Sequence, residues 1–197
     1  MFAFAFLAVI IMGIVFVQNV TMQEVWPSIL ARLENIFHTK SYVVTFTVTF
    51  LGAMSIPIGL LFFTSFVAKR INGDSLVHNF TRFGYAIIAL DVTAHIAHNL
   101  FHLLAEGKSV YITAVTFAGG KAPDVSPALL GSGTIQILQY VLIVLGVIGS
   151  LYTAYRINRG RYRGGKTWAN LAPYGVLILV LGVINIVLFS LPMTMRM

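Results

Sequence analysis

"FTRFGYAIIALDVTAHIAHNLFHLL", residues 80–104, is a proline-free run with two full charges, Arg82 and Asp91, and three histidines. A helix needs about 20 residues to cross a hydrocarbon core, so the run is long enough to span a membrane. Working outward, four further apolar blocks occur at about 2–17, 42–67, 134–155 and 171–191. Long blocks, in place of short alternating ones, predict helical spans and exclude an outer-membrane barrel, whose strands alternate over about ten residues. The fold expected is therefore all-α: one polytopic membrane domain covering residues 1–197, with five transmembrane helices.

Composition agrees. Hydrophobic residues make up 58% of the chain and charged ones 10%, well below the roughly 25% of soluble domains. Mean hydropathy is +0.88. A net charge of +7 raises the question of nucleic acid, but the cations cluster in two short loops beside apolar blocks, where membrane topology accounts for them. No cysteine is present, which excludes disulfides, thiolate metal sites and iron–sulfur clusters held by this chain. Residues 1–17 lack a basic leader and a small-residue cleavage site, so the first block reads as a retained span.

The segment "TMQEVWPSILARLENIFHTK", residues 21–40, mixes apolar and charged residues at helical spacing and predicts an interfacial amphipathic helix after the first span. Lys69, Arg70, Arg82, Arg156, Arg159, Arg161, Arg163 and Lys166 gather in or next to the second and fourth loops, eight of the thirteen basic residues. The positive-inside rule then puts the N-terminus inside an inner (cytoplasmic) membrane and the C-terminus outside. Trp26, Tyr42 and Trp168 fall at span ends, as an aromatic belt requires. Pro57 predicts a kink in the second span, and Gly146, Gly149, Ser150 and Thr153 predict close helix packing on the fourth. "AGGKAPDVSP", residues 118–127, breaks the long outer loop and suits a lid or docking surface, and "LPMTMRM", residues 191–197, suits a docking tail.

On a helix turning about 100° per residue, Asp91, His95, His98, His102 and Glu106 fall at roughly 0, 40, −20, 20 and 60°, a single stripe. It extends roughly 22 Å along the axis. Ionisable groups inside a membrane are costly and tend to mark functional sites, so the stripe is expected to face neighbouring helices, a cofactor or a wet cavity. On a plain structural reading the rings bond to hydroxyls and carbonyls of other spans.

Three chemistries fit the residue types. Haem b needs axial imidazoles, from a His38/His102 pair or from His95 or His98 with a partner chain's ligand; about 10.5 Å of rise over the seven residues between His95 and His102 leaves room for one haem at most. A quinone site needs a hydrogen-bonding group at each oxygen and a proton route. His98 and His102 with Gln136, Gln139 and Tyr140 would supply the first, and Asp91 and Glu106 the proton path. A Cu, Zn or Ni site on His95, His98, His102 and His38 would make the chain a transition-metal transporter, though the other spans offer few further ligands. A non-catalytic anchor for a redox complex is the remaining alternative.

"FTRFGYAIIALDVTAHIAHNLFHLLAEGKSV" at 80–110, "GTIQILQYVLIVLGVIGSLYTAYRINR" at 133–159 and the ending "LPMTMRM" resemble the C-terminal membrane half of bacterial membrane-bound polyferredoxins of the nitrate and nitrous-oxide respiration type. The likeness covers roughly residues 78–197. It implies a subunit of a respiratory electron-transfer complex that exchanges electrons with the quinone pool beside partners carrying iron–sulfur or haem centres. The missing cluster cysteines depart from that pattern and place any clusters in another subunit.

Overall fold

The computed structural model describes residues 2–121, 125–162 and 164–191. They form seven helices: α1 (Phe2–Thr21), α2 (Trp26–Phe37), α3 (Tyr42–Asn72), α4 (Leu76–Ala105), α5 (Ser109–Phe117), α6 (Ser132–Arg159) and α7 (Gly165–Ser190). Four of these, α3, α4, α6 and α7, are long and apolar enough to cross a membrane. The expected docking tail, apart from Leu191, lies outside the described residues, as do residues 122–124 of the outer loop.

Helix ends follow local chemistry. Gly73, at φ 74°, caps α3 with its N–H on the Lys69 carbonyl, and Ser75 Oγ caps α4 by accepting the His78 N–H at 3.2 Å. The two helices are thereby joined by a tight connection. Helix α3 runs unbroken through Pro57, while Thr45, Thr49 and Ser55 bond back to carbonyls of their own helix or its cap.

Helices α4 and α6 pack most extensively, and small side chains permit it. A Cβ added to Gly146 would lie 1.9 Å from Thr93 Oγ1 and 3.0 Å from Leu90 Cα. Ser150 Oγ accepts the Leu90 N–H at 3.0 Å in the same interface. Helix α1 lies beside α4 in a parallel register. Gly84 faces Ala5, and His98 bonds Asn19, both pairs separated by the same 79 residues. The apolar core is built from the facing sides of these helices, with Phe83 stacked on Tyr174 at a ring separation of 3.3 Å.

Each end of the bundle carries its own polar tie. At the basic end, Asn72 donates to Asn79 Oδ1 (2.9 Å) and Asn170 Oδ1 (2.7 Å), and Asn170 donates to Asn158, linking α3, α4, α6 and α7. At the other end Gln23 donates to the carbonyls of Asn19 (3.0 Å) and Leu188 (3.1 Å). There the α4–α6 connection contains the short helix α5, none of whose residues is buried, and returns to α4 through Leu129 N–H on the Leu104 carbonyl at 2.7 Å.

Candidate functional site

A cleft of about 520 Å³ opens where α1 ends, α2 and α3 begin and α4 approaches its end. Its lining includes Gln18 and Thr21 from α1, Trp26 from α2, Tyr42 and Phe46 from α3, and His98 and His102 from α4. The aromatic wall is ordered: Trp26 meets Phe46 edge-on at 5.9 Å, and Tyr42 stacks on Phe46 at 5.5 Å. Pro27, at the start of α2, is suited to a first turn that has no use for its missing N–H, and this sets the direction in which Trp26 enters.

The orientation of His98 follows from a chain of bonds with one fixed end. Asn185 Nδ2 donates to the Leu181 carbonyl at 2.9 Å, and a carbonyl can only accept. Asn185 Oδ1 is then the acceptor for Asn19 Nδ2 at 3.3 Å, which leaves Asn19 Oδ1 as the acceptor facing His98 Nδ1 at 2.8 Å. The proton of the His98 ring sits on Nδ1. Its Nε2 lone pair is left as the acceptor of a ring that lines the cleft.

His102 lies edge-on to His98, with ring centres 5.3 Å apart, and its Nδ1 is 3.6 Å from Glu106 Oε2. Both His102 and Glu106 are partly exposed, so the series Asn185, Asn19, His98, His102, Glu106 runs from the core to the surface. Gln18, on the cleft wall, has a buried Oε1 with no hydrogen-bond partner. An unpaired buried acceptor costs about 1–3 kcal/mol.

The other expected site residues are placed elsewhere. His95 is exposed, bonds Asn99 at 3.3 Å, and lines an apolar groove of about 390 Å³ between α1 and α4. Asp91 borders that groove and also a small internal void shared with Pro57 and Asn185. The stripe is therefore split by α1, which packs over its His98 side. Gln139 donates to the Ala97 carbonyl and Gln136 to the Phe189 carbonyl, each at 3.1 Å. Tyr140 packs against the main core, and none of these three lines the cleft. His38 caps α2 at φ 50° and is exposed.

Among the described residues lining the cleft the two imidazoles, His98 and His102, both come from α4, and neither has a facing imidazole in that lining as a second axial ligand. Among the described residues no three His, Asp or Glu side chains come together as a metal site.

Sequence reasoning missed Gln18, Asn19, Trp26 and Phe46 as site residues. The signal for the first two was present: an amide pair at the end of an otherwise apolar block. Compared with known protein families, curated proteins and solved structures, the chain matches none.

Proposed function

We propose that this chain is a membrane subunit of a respiratory electron-transfer complex and binds quinol in the cleft beside His98 and His102. The observation that carries this reading is the fixed tautomer of His98. An imidazole held by Nδ1 presents Nε2 to accept a hydrogen bond, and a quinol hydroxyl is the donor that suits it. The aromatic side of the cleft, with Tyr42 stacked on Phe46 and Trp26 edge-on to it, suits the rim and face of a planar ring.

In oxidation the two hydroxyl protons leave through His98 and the His102–Glu106 pair toward the nearby surface, and the two electrons pass to an iron–sulfur or haem centre of a partner subunit. Asp91 has no direct bond to the histidines, so its place in the path runs through the void at Asn185. A partner is further supported by His95 and Asn99, polar groups left exposed within a long apolar helix, where lipid contact is costly.

In this reading α1 is a fifth span, because it follows α4 in one register from Ala5 to Asn19. The basic loops at the opposite end support, by the positive-inside rule, a cytoplasmic location for that end, with the N-terminus inside an inner membrane and the cleft at the outer face. Helix α2, with Trp26 and Leu30 buried and its charged residues outward, lies along the interface. The resemblance to polyferredoxin membrane halves points the same way.

The test is photolabelling of the complex with an azido-quinone followed by peptide mapping. Label on the segment from Gln18 to Phe46 and on α4 near His98 supports the site. Label confined to the His95 groove contradicts it.

A further inference from the structure

The two basic loops and their flanks carry eight Lys and Arg residues in sequence and one carboxylate, Asp74. Asp74 is already committed: Arg82 Nη1 lies 2.6 Å from it, Arg161 Nη2 3.0 Å, and the Tyr162 hydroxyl also donates to it. These partners hold its carboxyl far below the ordinary carboxylate range. Among the described residues at this end no further carboxylate is left for Arg159. Its guanidinium donates to the Tyr155 hydroxyl at 3.4 Å and sits 6.0 Å from the centre of that ring.

Arg159 borders a cavity of about 630 Å³ with Tyr155, Tyr162, Thr167 and Trp168. Tyr155 and Trp168 face each other at 5.6 Å, and Trp168 is 64% exposed. An amphipathic aromatic pair beside a guanidinium with no carboxylate partner among the described residues, at the level where long apolar helices emerge, matches what a headgroup and the first carbons of an acyl chain require. A guanidinium also fits a phosphate through two parallel N–H bonds. The common explanation for such cations, topology alone, accounts for their number but not for a cavity walled by aromatic rings.

The geometry points to this cavity as a binding site for the phosphate headgroup of an anionic phospholipid, with Arg159 as the phosphate ligand and Tyr155 and Trp168 as its apolar shelf. This site is separate from the histidine cleft and stands whether or not that cleft binds quinol.

The experiment compares full-length protein in phosphatidylcholine nanodiscs with and without added phosphatidylglycerol, reading the shift in thermal unfolding midpoint and the lipid retained in native mass spectra. Wild type gains stability and retains phosphatidylglycerol. Arg159→Gln and Trp168→Ala each lose most of the shift and several-fold of the retained lipid, while Arg70→Gln, which removes the same charge from the same end outside the cavity, keeps both. Equal losses in Arg159→Gln and Arg70→Gln would show diffuse attraction and overturn the proposal. So would an unchanged shift in Arg159→Gln, or an equal shift produced by inorganic phosphate alone.

Discussion

His98 Nδ1 lies 2.8 Å from Asn19 Oδ1, and this one bond joins two parallel helices and decides which nitrogen of the imidazole carries the proton. The bond depends on register. The 79-residue offset that brings His98 to Asn19 also brings Gly84 against Ala5, so the glycine contact at one end helps set the tautomer at the other. A shift of one residue would turn Asn19 by about 100° and break the series.

Replacing Asn19 by Leu strands two groups, the His98 Nδ1 proton and Asn185 Oδ1. Its cost to stability is about 2–6 kcal/mol, from about 1–3 kcal/mol for each buried polar group left unpaired. Asn185→Leu strands only Asn19 Nδ2 and costs less. Thermal unfolding of both variants in one detergent checks the order, and an equal or reversed ranking would contradict the bond series.

The pH dependence of stability should carry the mark of Asp74. Its folded pKa lies well below the ordinary 3.8, chiefly through its hydrogen bond with Arg161 and then through Tyr162 and Arg82. The unfolded chain therefore binds the proton more readily, and the stabilisation is fully present above about pH 4 and lost as pH falls through the folded value. Asp74→Asn is expected to lower stability by about 2 kcal/mol at neutral pH, the scale of a charge-assisted hydrogen bond. The gap to wild type should close as the medium is acidified below about pH 4. A gap that stays constant down to acid pH would mean that the carboxylate contributes little as a charge.

Gly146→Ala tests the α4–α6 approach. The new methyl group meets Thr93 Oγ1 and the Leu90 backbone, and overpacking of this kind costs about 1–3 kcal/mol. Thr93→Ala in the same chain should recover part of the loss, because Leu90 Cα still stands 3.0 Å away. Full tolerance of Gly146→Ala would show that the helices are more widely spaced.

Much of this architecture was legible in the sequence because bilayer thickness imposes long apolar blocks that composition exposes directly. The histidine stripe was legible for the same reason, through the 3.6-residue period of α4. Its division was not. His95 and His98 differ by only about 60° around the helix, and nothing in that angle says which side a neighbour covers. Helix α1 covers His98, leaving His95 outside. Gln136 and Gln139 lie at the right depth on α6, yet their amides go to backbone carbonyls, a choice that depends on the distance between helices and not on residue type. The aromatic wall was half visible: Trp26 and Tyr42 read as belt residues, while Trp26 is in fact buried against Phe46.

His98→Asn offers the most direct test, because the asparagine amide can keep the donor that Asn19 accepts while removing Nε2. Trp26 lines the cleft and provides the signal once Trp168 is replaced by Phe. Titration of that protein with a short-chain quinol should quench Trp26 fluorescence, and His98→Asn should weaken the apparent affinity about tenfold or more, the equivalent of one lost hydrogen bond, with thermal stability nearly unchanged. Identical titration curves with and without Nε2 would contradict a quinol hydroxyl bound at His98.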